Sequence, residues 1–122
     1  MKVLRIDHVQ LAMPLGSETC ARGFYCDVLG MKEIPKPGAL VGRGGCWFAS
    51  GAAQVHLGVD EDFRPGKKAH PALVVEGLDE ILARCEVTGL PSKSDTEIDG
   101  RRRVHIFDPF GNCLELIEAK GE

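Results

Sequence analysis

The chain is written twice, and that repetition limits its fold more than anything else in it. Residues 3–13, VLRIDHVQLAM, alternate with the period of a strand: Leu4, Ile6, His8, Gln10 and Ala12 share one face, and Val9, Leu11 and Met13 the other. Pro14 and Gly16 end the pattern. Residues 18–29, ETCARGFYCDVL, set Ala21, Phe24, Tyr25, Val28 and Leu29 on one helical stripe. Ser17 stands where a side chain caps a helix start, and Gly30 where a left-handed residue closes one. Three short strand candidates follow, MKEIP, GCWFAS and AQVHLGV, separated by proline and glycine.

Residues 59–69 are polar, contain Pro65-Gly66 and read as a linker. The order then returns. HPALVV at 70–75 is a strand, and residues 78–88 are a helix with Leu78, Ile81, Leu82 and Cys85 on its stripe. Gly89 closes that helix, and strand candidates lie at about 90–94, in RRVHIF and in CLELIE. His8 and His70, Gly30 and Gly89, and His56 and Glu115 each stand about 60 residues apart, the signature of an internal repeat. The expected architecture is α+β: two β-α-β-β-β modules forming a curved mixed sheet around a central cavity, with module one over about 1–59, a linker over 60–69 and module two over 70–120.

Composition narrows the function. A chain of 122 residues that is 43% hydrophobic and 27% charged can bury a core as one domain. Its net charge of −3 argues against a nucleic-acid partner. Arg101-Arg102-Arg103 is a local exception, read as a solvated turn or strand start that could also meet an anionic substrate. No stretch resembles a signal peptide or reaches membrane-spanning length, so the expected location is cytoplasmic, with no membrane partner. The five cysteines (Cys20, Cys26, Cys46, Cys85 and Cys113) form no C-x-x-C pair. Cys20, Cys26 and Cys85 fall in predicted helices as small core or boundary residues, and reduced thiols suit the cytosol.

The repeat also gives four polar residues equivalent places. His8 and His70 lie in the first strand of each module, and His56 and Glu115 in the last. Three imidazoles and a carboxylate suit a divalent transition metal such as Zn, Ni, Co, Mn or Fe. Such an ion polarises a carbonyl, stabilises an enolate or alkoxide, or acidifies bound water. Each residue also has a structural reading. Asp7 falls on the opposite face from His8 by alternation, which argues against a local His–Asp pair. His70 precedes Pro71 and can simply open a strand, while Glu115 can be the solvated member of an amphipathic one. His56 is hardest to explain structurally, because a buried imidazole without a partner is costly.

IDHVQLAM, FYCDVLGM, AHPALVV and DPFGNCLELIE resemble the vicinal oxygen chelate superfamily, which includes glyoxalase I, bleomycin resistance proteins, fosfomycin resistance enzymes and extradiol dioxygenases. The resemblance spans about residues 4–118, and implies a single glyoxalase-like domain of paired modules with a metal inside the curved sheet. By that resemblance His8, His56, His70 and Glu115 are the metal ligands, and Asp108, Pro109, Gly111 and Asn112 form the turn before the last strand. His56 stands where glyoxalase I has a second glutamate, and Gln10 where fosfomycin-modifying enzymes usually carry threonine.

The implied activity is that of a metal-dependent lyase or isomerase. It would act on a small oxygen-chelating substrate through an anionic intermediate, with Glu115 and His105 as the catalytic pair. His105 shares its strand face with Arg103 and Phe107, and is read either as a substrate partner or acid/base group or as a partly exposed strand residue. Gln10, Trp47, Arg64, Arg103 and His105 are the substrate-binding candidates; one of the neighbours Trp47 and Phe48 should face the cavity and the other the core. Cys113 shares a face with Glu115. The expected partners are a small-molecule substrate and a second copy, as a homodimer. A resistance-type binding protein and an Fe(II) ring-cleaving dioxygenase are the alternative functions.

Overall fold

A computed structural model describes residues 1–120. They divide into two compact units, Met1–Phe63 and the remainder from Arg64, so the division falls inside the predicted linker. Unit 1 runs β1 (Val9–Met13), α1 (Glu18–Tyr25), β2 (Lys32–Ile34), a 3₁₀ helix (Gly38–Arg43), β3 (Cys46–Ser50) and β4 (Ala53–Val59). Unit 2 runs β5 (Ala72–Val75), α2 (Leu78–Val87), β6 (Ser92–Ile98), β7 (Arg101–Phe107) and β8 (Cys113–Glu118).

Each unit carries one four-stranded sheet, ordered β1-β4-β3-β2 and β5-β8-β7-β6. In both, the first strand runs parallel to the last and the remaining pairs are antiparallel. The parallel pair needs a crossover, and the helix after each first strand begins it. The repeat read from the sequence is therefore a repeat of topology.

Alternation sorts each sheet into two faces. In unit 1, Val55 and Leu57 of β4 lie opposite Phe48 and Cys46 of β3, and all four are buried. α1 rests on β3 and contributes Ala21, Phe24 and Tyr25, with the Tyr25 and Phe48 rings stacked 5.2 Å apart. In unit 2, Val104, Ile106, Leu114 and Leu116 are buried on the face that α2 covers with Leu78, Ile81 and Cys85. Each such aliphatic or aromatic side chain contributes roughly 1.5–3 kcal/mol. The residues on the other face of each sheet are thereby freed for chemistry.

Four expectations change. β1 starts at Val9, not residue 3, and Val3, Leu4 and Ile6 are exposed. The parallel register pairs Val9 with Val55, so β4 has almost no chain left to pair residues 3–8. α1 stops at Tyr25: Val28 and Leu29 amides both turn back to the Phe24 carbonyl, and Ser17 makes no side-chain cap. Cys20 is exposed rather than a boundary residue. β6 reaches Ile98 although every residue in it is exposed; it pairs with β7 through a turn at Asp99-Gly100, both at positive φ. That Asp-Gly pair is a hairpin signal the polar sequence obscured.

Candidate functional site

The polar face of unit 1 centres on His56. Register sets it between Gln10 of β1 and Trp47 of β3, with Phe48 turned into the core. The imidazole is 3% exposed and sandwiched, with the Trp47 ring 3.9 Å away at 5° and the His8 ring 4.0 Å away at 14°. Its Nε2 lies 3.0 Å from Gln54 Oε1. Burial first, and the neighbouring His8 second, push its pKa below the ordinary histidine value, so the ring is neutral, as a metal ligand must be.

His8 Nδ1 lies 3.0 Å from Asp7 Oδ2, against the expectation that these side chains diverge. The alternation rule fails there because both residues precede β1. Since the carboxylate can only accept, Nδ1 carries the hydrogen and Nε2 is the nitrogen not engaged by Asp7. The contact draws the Asp7 pKa down, chiefly through the hydrogen bond from His8. Gln10 is exposed and lies over Gly58, where an added Cβ would stand 2.6 Å from its Nε2. Gln10, Trp47, Leu57, Lys36 and Arg43 line a cleft of about 200 Å³.

The polar face of unit 2 centres on Glu115, which sits between Ala72 of β5 and His105 of β7. It is 9% exposed and three cationic or imidazole groups meet it. Arg103 Nε donates to Oε2 at 2.9 Å, His70 Nε2 stands 3.1 Å from Oε1, and His105 Nε2 stands 3.7 Å from Oε1. Arg103 is itself held by Asp95 Oδ2 at 3.2 Å and the Thr96 carbonyl at 3.1 Å. The Glu115 carboxyl is accordingly held below the usual glutamate range, first by the Arg103 hydrogen bond and, against the opposing effect of burial, by that of His70. The turn before β8 aims it: buried Asp108 accepts from the Phe110 and Asn112 amides and from Asn112 Nδ2, while Pro65 covers Gly111.

His70 carries the clearest chemical information. Its Nδ1 donates to the Lys68 carbonyl at 2.8 Å, so Nε2 faces the Glu115 carboxylate either as a lone pair or with a second proton. A lone pair aimed at a carboxylate is repulsive, so a cation belongs between them. A proton can serve as that cation: the Lys68 carbonyl and then Glu115 raise the His70 pKa. A metal ion satisfies the same geometry. Two ligands side by side on an ion with bonds of about 2.1 Å stand roughly 3.0–3.4 Å apart, and the observed 3.1 Å fits. The Nδ1 bond to a backbone carbonyl is also the outer contact a metal-binding histidine usually makes. The residues present therefore fit a divalent metal.

The two faces match position by position. His8 corresponds to His70, Trp47 to His105, Gln54 to Cys113 and His56 to Glu115. Of the other substrate candidates, Arg103 is tied to Glu115, while Arg64 is exposed in the segment before β5. Gln54 and Asp95 were not singled out from sequence, and Asp7 was set aside there as facing away from His8. Gln54 and Asp95 share strand faces with His56 and Arg103, and the period of two would have found Gln54.

No family profile and no curated protein matches the chain. Solved structures do. A protein from Bacillus anthracis assigned to the glyoxalase family is 43% identical, with 98% of each chain covered and a TM-score of 0.89. A mutant of the fosfomycin resistance protein FosX from Listeria monocytogenes, complexed with Mn(II) and 1S,2S-dihydroxypropylphosphonic acid, is 18% identical over 99% of this chain and 94% of that one, with a TM-score of 0.74. Lactoylglutathione lyase from Agrobacterium tumefaciens is 21% identical over 91% and 92%, with a TM-score of 0.60. The last two share the fold.

Proposed function

Because this chain belongs to the glyoxalase family of the vicinal oxygen chelate superfamily, we propose that it is a metal-dependent enzyme performing lyase or isomerase chemistry on a small oxygen-chelating substrate. The observation that carries this reading is the His70–Glu115 contact, where an imidazole nitrogen and a carboxylate oxygen stand one ligand spacing apart at 3.1 Å. The proposed ligands are His70 and Glu115 from unit 2 with His8 and His56 from unit 1. For His56 to ligate through Nε2, Gln54 must turn away; otherwise Nδ1 is the ligating atom. A divalent ion held by these groups would polarise neighbouring substrate oxygens and stabilise negative charge on them.

The chain's own groups divide the remaining work. Arg103 keeps Glu115 ionised, which suits a ligand and makes it a poor acceptor of a substrate proton. Proton transfer therefore falls to His105, whose Nε2 points toward Glu115 and whose Nδ1 lies 3.7 Å from Asp95 Oδ2. Arg101, Arg103 and Lys120 line a cleft of about 370 Å³ beside Glu115, a setting suited to an anionic substrate group. Homodimer assembly and a cytoplasmic location belong to the same proposal; light scattering and cell fractionation check them.

A second reading, a drug- or metabolite-binding protein without metal, draws on the Trp47–His56–His8 stack, which is already closed on itself. Metal analysis after reconstitution separates the two. The enzyme reading expects about one equivalent per complete site, lost in Glu115→Gln and His56→Ala; less than about a tenth of an equivalent in the wild type would overturn it.

A further inference from the structure

Lys36 and Arg43, in the segment between β2 and β3, have no part in the reading above. Both line the cleft of about 200 Å³ in unit 1 that Gln10, Trp47 and Gly58 also line. We propose that this cleft is an anion-binding site, which takes the carboxylate or phosphoryl group of a small acidic molecule. If the chain is the metal-dependent enzyme proposed above, that molecule is its substrate; the anion site itself stands without that reading.

The charge in this cleft is unbalanced. No carboxylate is among its lining residues. Glu33, three residues before Lys36, is committed to Arg22 at 2.8 Å. Arg43 is exposed and has no hydrogen-bond or ion-pair partner among the described residues. In unit 2, by contrast, Asp95 and Glu115 meet the Arg103 charge. An anion in the unit 1 cleft meets two cations that no acid offsets, and a guanidinium can hold two of its oxygens at once.

The cleft is also built before a ligand arrives. Lys36 stands between Pro35 and Pro37, which restrict its backbone to extended geometry. Its Nζ donates one hydrogen to the Gly44 carbonyl, leaving two for a ligand. Gly44 and Gly45 have φ of +73° and +87°, and a Cβ on Gly44 would stand 3.1 Å from Val59 Cγ2, so this end of the segment is pressed against β4. Across the cleft the Gln10 amide lies over Gly58, where an added Cβ would stand 2.6 Å from Nε2. The matching place in unit 2 holds Ile117, whose side chain would occupy that space. Amide, ammonium and guanidinium thus line one small volume, and donors fixed in advance lower the ordering cost of binding. Pockets that enclose a drug-sized ligand measure roughly 300–1,000 Å³, so this smaller cleft suits a single functional group.

Trp47 is the chain's one tryptophan and lines the cleft, so its fluorescence reports occupancy. The test is titration of the intact protein with inorganic phosphate, with butyrate and, as the uncharged control, with butyramide, before and after dialysis against a chelator. The expected result is a saturable change with phosphate or butyrate, unaltered by metal removal and weakened by added salt. A response to phosphate identifies a phosphoryl group and one to butyrate a carboxylate; either supports the site. Lys36→Met and Arg43→Met should each weaken binding about tenfold, through loss of one charge-assisted contact. Arg43 bonds to no other described residue, so its variant keeps the fold. Lys67→Met, which removes an exposed cation outside the cleft, should change nothing. The proposal is overturned by the absence of a saturable response, by butyramide binding as tightly as butyrate, by a response that needs metal, or by unchanged affinity in Lys36→Met and Arg43→Met. The catalytic reading fails differently, through the metal content of the reconstituted protein, which this titration does not measure.

Discussion

Replacing Arg103 with methionine removes the charge while keeping most of the side chain's bulk. Arg103 and Glu115 form a well-enclosed ion pair, with side chains 15% and 12% exposed. The substitution also deletes the bonds to Asp95 and the Thr96 carbonyl. Breaking a buried pair from one side typically costs 3–5 kcal/mol, because the remaining charge is left without its partner. Here His70 still faces Glu115, so the expected loss lies near the lower end, about 3 kcal/mol. Arg102→Met is the internal control. Arg102 meets Asp79 and Glu118 at side chains 41%, 83% and 37% exposed, where solvent screening leaves an ion pair little weight.

The acid limb gives an independent check. The folded Glu115 pKa is lowered, so its contribution to stability is present above the unfolded value and disappears as pH falls through the folded one. Arg103→Met should flatten that limb, and Arg102→Met should leave it unchanged. Urea denaturation of the three proteins, at neutral pH and across the acid range, measures both effects. A loss below about 1 kcal/mol for Arg103→Met, or acid limbs that superimpose, would refute the claim that Arg103 governs Glu115.

Further outcomes follow from the same geometry. Metal affinity should weaken as pH drops from about 8 to about 6, because the raised His70 pKa lets a proton compete at Nε2; calorimetric titration at several pH values measures this, and pH-independent affinity would remove His70 from the ligand set. Gly45→Ala should cost on the order of 3 kcal/mol, because a Cβ would clash with the Leu57 carbonyl oxygen, with φ at +87°. Gly58→Ala should cost less than about 1 kcal/mol, since its Cβ meets only the movable end of Gln10; denaturation midpoints compare the two. Asp108→Ala should lose roughly 2–4 kcal/mol with the hydrogen bonds it accepts from Phe110 and Asn112, and should weaken metal binding by misdirecting β8, measured by melting and metal content together.

Much of this protein was legible without coordinates. Periodicity and closing glycines identified both helices and most strands, because burial of one face imposes a period of two on strands and 3.6 on helices. The spacing of His8, His56, His70 and Glu115 followed from the duplication, since equivalent residues of a repeat reach equivalent places. Where no apolar face is buried, the pattern was silent or misleading. Residues 3–8 alternate without a strand to pair with, and β6 pairs without an apolar residue before Ile98.

The tertiary structure decided how the polar residues engage one another. Strand register put Trp47 against His56 and His105 against Glu115. Arg103 locks Glu115 in its charged form, and the Lys68 carbonyl fixes which nitrogen of His70 faces it. These are contacts between residues distant in sequence, or between a side chain and a backbone carbonyl. Hydrophobic periodicity carries no record of them, because it reports which face is buried and not which polar group stands opposite which.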